Sequence, residues 1–307
     1  MEKRYDVVII GGGPAGYSAA LYCVRAGFST LVLEMLSAGG QMSTTTQVDN
    51  YPGFEDGIDG FELAEKMQAG AERFGAVSEF AEVTGLQLAS SPKIISTSSG
   101  DVEARTVVLA TGAAPRKLEL ADEEELIGRG VAYCATCDGM YYKDKVVAVA
   151  GGGNSAAADA LTLSKICKKV YLVHRRDSLR AGKGYLDALT QAKNIEFVWN
   201  AQIDRLLHEE KLTGLALTDR VTGKQTTLAC DGVFVAIGRV PNTALLDGQL
   251  ALDAQGYIEA DESTRTSLPG VFAAGDVRTK PLRQIVTAAA DGAVASKYIE
   301  EYLQRQQ

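Results

Sequence analysis

The sequence has no run approaching the roughly 18 apolar residues that a bilayer-spanning helix needs. Its first apolar stretch, residues 7–10, is cut short by Asp6 on one side and Gly11-Gly12-Gly13-Pro14 on the other. That pattern reads as a strand entering a loop, so neither a cleaved leader nor a membrane anchor is expected. Excess positive charge is missing too: 31 Lys and Arg face 39 Asp and Glu, a net charge of −8. The balance argues against nucleic acid or an anionic membrane as the main partner. Cysteines number five, and Cys23, Cys167 and Cys230 stand alone among apolar residues. A secreted disulfide framework is thereby excluded, and the cytoplasm is the expected compartment. Histidine is scarcer still, with only His174 and His208. A four-ligand zinc site would have to draw on scattered donors, and no metal is expected.

Glycine, by contrast, is plentiful: 32 residues, many in short clusters, within a chain of 307. That length predicts two domains. The first cluster follows the apolar segment 5–10, which reads as a buried parallel strand. Gly11-x-Gly13-x-x-Gly16, with Pro14 and Ala15 inside it, opens a helical stretch over 17–25. A second apolar strand over 30–33 then ends at Glu34. This is the strand–loop–helix–strand–acid order of a dinucleotide fingerprint. The first glycine makes the tight turn, the second admits the pyrophosphate, and the third lets helix and strand pack closely. Free N–H groups at the helix start favour phosphate, and Glu34 stands where a carboxylate accepts from a ribose diol.

A shift of 140 residues repeats the arrangement, laying Gly11 on Gly151, Gly13 on Gly153 and Gly16 on Ala156. Strand 146–150, loop residues Asn154 and Ser155, helix 155–164 and strand 170–173 complete the copy. Its end differs chemically. Where the first copy carries Glu34, the second carries His174, followed by Arg175, Arg176 and, after a turn, Arg180. A carboxylate suits a free 2′-hydroxyl, whereas guanidinium groups suit a 2′-phosphate. Two such sites suggest FAD at the first and NADPH at the second.

Other segments support the duplication. Residues 107–112 form a strand ending at Thr111-Gly112, and 233–238 repeat that theme. Residues 270–276 form a third strand, ending in Gly275-Asp276, where Asp276 can bind a polyol hydroxyl. Segments 79–106 and 202–231 alternate and carry turn signals, so each parallel sheet is expected to gain a small antiparallel addition. The predicted fold is α/β, with two Rossmann-like dinucleotide-binding domains. One is discontinuous, 1–113 and 243–307; the other spans 114–242 and ends the chain's excursion before a final helix over 286–303.

Cys134-Ala135-Thr136-Cys137-Asp138 completes the picture, with Cys137 fourteen residues before Gly151. Two thiols at that spacing can close into a disulfide, and the adjacent nucleotide loop suggests a source of electrons to open it. Alone, the same pair could be half of a zinc site.

Taken together, these motifs closely resemble the low-molecular-weight thioredoxin reductases of bacteria, plants and fungi, over almost the whole length. Further marks are Gly39-Gly40-Gln41-Met42, Asn50-Tyr51-Pro52-Gly53, and Ala273-Ala274-Gly275-Asp276-Val277 with Arg283-Gln284. The resemblance implies an FAD-containing homodimer that moves electrons from NADPH to a Cys134–Cys137 disulfide and on to thioredoxin. It implies that Cys137 faces the flavin, that Cys134 attacks the partner's disulfide, and that Asp138 supplies a proton. It also places Gln41, Asn50 and Gln284 along the flavin. The acidic run 122–125 reads as a solvated face, and Tyr133 acquires no role.

Three alternatives compete. A reductase of another dithiol protein usually carries extra N-terminal domains, for which a loop starting at Gly11 leaves no room. A dithiol oxidase is disfavoured by the intact Arg175–Arg176 pair. A non-catalytic nucleotide module with structural zinc needs two further ligands.

Overall fold

The computed structural model describes residues 3–45 and 47–306, which divide into two compact units. One comprises Met1–Ala114 with Val240–Gln307, and the other Pro115–Arg239.

In the first unit, strand β1 (Lys3–Ile10) leads into helix α1 (Pro14–Arg25), strand β2 (Thr30–Glu34), helix α2 (Gly60–Glu72) and strand β3 (Val77–Phe80). Strands β4 (Val83–Gln87), β5 (Lys93–Thr97) and β6 (Gly100–Leu109) follow. The sheet runs β3-β2-β1-β6-β5-β4. Strand β6 is long enough to serve two partners along the edge opposite β1. Its first half pairs antiparallel with β5 and its last residues pair parallel with a late strand, β17 (Val271–Ala273). The antiparallel addition therefore continues the parallel sheet.

The side chains of β1 show why this sheet is covered on both faces. Val7 and Ile9 join one core with Val32, Val108, Phe272 and the small residues of α1. Val8 and Ile10 join another, with Leu31, Leu33 and Leu109, beneath Leu246 and Ile258. A parallel strand buried on both faces reads as a continuous apolar run, which is how residues 7–10 appear in the sequence. The closing helix α6 (Ile285–Gln304) lies directly on α1. A Cβ at Gly292 would lie 2.2 Å from the Ala15 carbonyl oxygen, so the two backbones meet at that glycine.

Short strands β7 (Ala113–Pro115) and β16 (Arg239–Pro241) stand where the chain passes between units. Within the second unit come β8 (Val131–Ala132), the single-turn helix α3 (Ala135–Asp138), β9 (Val146–Ala150), α4 (Asn154–Ser164) and β10 (Lys169–Val173). Helix α5 (Lys183–Gln191) and β11 (Ile195–Val198) precede β12 (Ala201–His208), β13 (Leu212–Asp219), β14 (Gln225–Ala229) and β15 (Gly232–Val235). The parallel sheet is ordered β11-β10-β9-β15-β8. Here the antiparallel segment departs from expectation: β12-β13-β14 form a separate sheet rather than an extension. Leu206, Leu215 and Leu217 pack it against the face carrying Ala148, Val233 and Val235, so the join is apolar instead of hydrogen-bonded. Among the described residues, no helix is long and apolar enough to cross a membrane.

Candidate active site

In the first unit the chain turns at Gly11, with φ 108°, as it leaves β1. A Cβ at Gly16 would lie 1.9 Å from the Gly11 carbonyl oxygen, so helix α1 can start this close to the strand only with glycine there. Gly13 caps α1 and Pro14 occupies its first turn, where a missing N–H costs nothing. Among the described residues, the Cβ position of Gly13 meets nothing nearer than the Gly39 carbonyl oxygen at 3.9 Å, its chain neighbours aside. The loop rim is thus open to a phosphate, and the cradle fits a dinucleotide. Glu34 accepts the Gly12 N–H at 2.7 Å and the Met35 N–H at 2.8 Å, which aims its carboxylate at the loop.

Other chain segments reach the same loop. The Gly39 N–H donates to the Gly12 carbonyl at 2.7 Å, bringing Gly40 and Gln41 to the rim. The Gln41 side-chain amide donates to the Ala113 carbonyl. Beyond β6, Thr111 and Gly112 are held by Asn242: the Thr111 hydroxyl donates to its carbonyl at 2.7 Å, and its own N–H donates to the Gly112 carbonyl at 3.0 Å. Gly275, with φ 80°, directs its N–H to Asp291 at 2.8 Å and packs against Ala15. Asp276 follows in the same turn, and Arg283 Nε donates to its carbonyl at 3.3 Å. Gln284 caps α6, and its Oε1 accepts from Asn50 Nδ2 at 3.0 Å.

The second unit holds a cleft of about 560 Å³ along Gly151–Ser155, with Val173, His174, Arg175 and Arg180 in its wall. Two bonds fold the arginine turn over the glycine loop: Arg180 N–H to the Gly152 carbonyl at 2.7 Å, and Gly182 N–H to Asn154 Oδ1 at 2.8 Å. Gly153 has no described residue within 4 Å of its Cβ position, so the loop is open there. Ala156 is buried behind the loop. His174 is buried with its ring against Gly152, and its Nε2 finds no hydrogen-bond partner among the described residues. Burial, reinforced by Arg176, Arg180 and Arg175, holds its pKa below the usual imidazole value. The ring is therefore neutral near pH 7 and serves as a wall. Arg175, Arg176 and Arg180 are all exposed, but Arg176 is absent from the cleft lining, whereas Arg116 and Arg220, which the motifs did not single out, line it.

Cys134 and Cys137 are joined as a disulfide with Cα atoms 5.3 Å apart. A single helical turn sets that spacing: the Cys137 and Asp138 N–H groups both donate to the Cys134 carbonyl, at 3.3 and 3.0 Å. With both thiols in a disulfide, neither supplies a thiolate to a metal. Burial pushes the Asp138 carboxyl up to about 6, a value suited to proton transfer. Cys23, Cys167 and Cys230 are buried, and burial pushes their thiols up to about 12, 11 and 12, so they are inert near neutral pH.

A disulfide and a glycine-loop cleft share one unit, and the other unit carries a second glycine loop. The pyridine nucleotide-disulphide oxidoreductase model matches residues 5–292. A thioredoxin reductase of Streptomyces clavuligerus is 48% identical over 99% of this chain and 95% of its own length. One from Listeria monocytogenes is 44% identical with the same coverage. The solved thioredoxin reductase of Streptococcus pyogenes superposes with a TM-score of 0.91 at 40% identity, covering 99% of this chain and 100% of that one. The chain belongs to the thioredoxin reductase branch of the pyridine nucleotide-disulphide oxidoreductases. It is an oxidoreductase, and membership implies a flavin and a pyridine nucleotide.

For a member of this family, three side chains passed over in the sequence stand out. Asp159 on α4 lies close to the Ala135 N–H and to the charge of Arg239, and burial raises its carboxyl to about 6. Asp291 receives Arg278, Lys280 and the Gly275 N–H in a buried network. The third corrects the reading of 122–125 as a solvated face. Asp122, Glu124 and Glu125 are exposed, but Glu123 is only 2% exposed and accepts the Tyr133 hydroxyl at 2.8 Å. A buried position inside a charged run carries no periodic signal, since these residues form turns rather than a helix or strand.

Proposed function

We propose that the protein is an NADPH-dependent, FAD-containing thioredoxin reductase acting as a homodimer. FAD would be held by the Gly11–Gly16 loop, Glu34, the Gly40–Gln41 turn, Asn50, Thr111-Gly112, Gly275-Asp276, Arg283 and Gln284. NADPH would occupy the Gly151–Ala156 cleft, its 2′-phosphate taken by Arg175 and Arg180, with Arg176, outside the cleft lining, in a lesser part. When bound, the flavin supplies the relay that converts nicotinamide reduction into dithiol reduction.

The residues of this chain do the rest. In the reduced protein, the Cys134 thiolate attacks one sulfur of the thioredoxin disulfide and forms a mixed disulfide. Cys137, as thiolate, then displaces thioredoxin as a dithiol and restores the Cys134–Cys137 bond. Two electrons and two protons leave with the product. Asp138, next to Cys137 and poised near pH 6, moves the proton at that sulfur.

The observation that carries this reading is the Cys134–Cys137 disulfide sharing a unit with an arginine-walled dinucleotide cleft. Its test is NADPH oxidation by purified, FAD-loaded protein with and without thioredoxin. Thioredoxin-dependent turnover is expected. Turnover that ignores thioredoxin, or a preparation that takes up no flavin, would overturn the proposal.

A further inference from the structure

Glu123 is a carboxylate buried in a turn, with 2% of its surface exposed. Burial of that kind costs heavily unless hydrogen bonds replace water. Four neutral donors do so, and they divide between the two oxygens. Oε1 accepts the Leu118 N–H and the Tyr133 hydroxyl, both at 2.8 Å. Oε2 accepts the Glu119 N–H at 2.8 Å and, more weakly, the Leu120 N–H at 3.4 Å.

The donors belong to two working parts of the unit. Leu118 and Leu120 line the dinucleotide cleft. Between them Glu119 sits at φ 63°, a conformation unfavourable for a residue with a Cβ, so this stretch needs an external anchor. Tyr133 continues from β8, and the next residue is Cys134. One side chain thus ties the cleft wall to the strand end that delivers the disulfide.

We propose that Glu123 is a positioning residue that fixes the register between the dinucleotide cleft and the Cys134–Cys137 pair, with Tyr133 as its link to the pair. This rests on reading the cleft as the NADP site and the cysteines as the redox centre. Glutamine is the informative replacement, because an amide offers only one acceptor atom. If its NH₂ takes the Oε1 position it opposes the Leu118 N–H, while the Tyr133 hydroxyl can turn and accept from it; at the Oε2 position it opposes the Glu119 and Leu120 N–H groups. Either way the arm to the cleft wall loses a bond, and the link to Tyr133 loses the charge that strengthens it.

The test compares FAD-loaded wild type, Glu123→Gln and Tyr133→Phe. NADP⁺ affinity is measured by calorimetry, and the pH profile of Cys134 alkylation by iodoacetamide in the reduced protein is followed by mass spectrometry. Thermal stability is recorded alongside. Tyr133→Phe should shift the alkylation profile and leave NADP⁺ affinity unchanged. Glu123→Gln should shift the profile and weaken NADP⁺ binding by about two- to thirtyfold, the span typical of coupling through a contiguous network. Lower melting temperatures with affinity and profile both at wild-type values would reduce Glu123 to a structural anchor and overturn the proposal. Should Glu123→Gln fail to fold, an unchanged profile in Tyr133→Phe decides against it alone. A wild type that binds no NADP⁺, or whose cysteines resist reduction, sinks the underlying function instead, before any variant is compared.

Discussion

Asn50 Nδ2 donates to Gln284 Oε1 at 3.0 Å, closing a contact between side chains 234 residues apart. Gln284 is simultaneously the N-cap of α6, in a reciprocal capping box with Thr287. One amide thus anchors the last helix and the loop that follows the Gly40–Gln41 turn. Gln284→Ala should cost about 1 kcal/mol in thermal or denaturant unfolding, the usual value of a lost cap. If the site holds FAD, flavin retained after gel filtration should fall as well. Full retention with lowered stability would confine Gln284 to capping.

The two cysteines should be unequal. With FAD bound, Cys134→Ser leaves Cys137 as the flavin-side thiolate, and a charge-transfer band should appear at longer wavelength than the main flavin absorbance. Cys137→Ser should show little of it. Both should lose thioredoxin reduction, since neither retains an exchangeable disulfide. Equal spectra would reverse or void the assignment.

Most of the α/β architecture could be read from the chain because its determinants are local. Residues 7–10 and 146–150 are apolar runs closed by glycine, and each became a central parallel strand of its sheet. The glycine loops, Glu34 and the cysteine pair carry fixed spacings, so they too were visible. What stayed hidden depends on tertiary geometry. Nothing in the sequence distinguishes Glu123 from its acidic neighbours, because its burial follows from the path of a turn. Asp291 is one apparently solvent-facing position of an amphipathic helix until Arg278 and Lys280 arrive from the Gly275 turn. Likewise Arg116 and Arg220 reach the cleft from segments without a motif, while Arg176, inside one, does not line it.

That difference among the arginines yields a coenzyme prediction. Arg175→Ala and Arg180→Ala should each remove charge-assisted contacts worth about 1.5–3 kcal/mol with a 2′-phosphate. NADPH efficiency should drop by one to two orders of magnitude per variant on that scale, with NADH use little changed. Arg176→Ala, outside the lining, should do much less. Steady-state kinetics with both coenzymes checks this, and an equal loss from all three would place Arg176 in the cleft.

Asp291 stands in a buried ionic cluster with Arg278 and Lys280, at 2.8 Å from each. Burial alone would raise its pKa, but hydrogen bonds from Arg278 and Lys280 and the Gly275 N–H outweigh it and hold the carboxylate below its ordinary value. Its contribution is therefore complete above about pH 4 and fades only as pH falls through the lowered folded value. Asp291→Asn leaves the buried Lys280 ammonium uncompensated and Arg278 with only Glu262, at 3.6 Å, and should cost about 3–5 kcal/mol at neutral pH. The deficit should shrink in strong acid, measurable by denaturant unfolding as a function of pH.

Asp138 should show the opposite sign. Burial raises its carboxyl from 3.8 to about 6, so between those values the folded chain keeps a proton that the unfolded chain has shed. Its stabilising protonation is fully present below about pH 4 and is lost as pH rises through 6. At pH 8 the half-buried carboxylate is a liability, on the order of 3 kcal/mol for a shift of this size. Asp138→Asn, which cannot ionise, should therefore be more stable than wild type at pH 8 and nearly equal to it at pH 4. Catalysis should move the other way: the wild-type rate of disulfide exchange carries an ionisation near pH 6, and the Asn variant should be slower and lack it. Melting curves and pre-steady-state reduction across pH 4–8 separate the two effects. A variant that gains stability without losing rate would show that Asp138 is buried for reasons other than proton transfer.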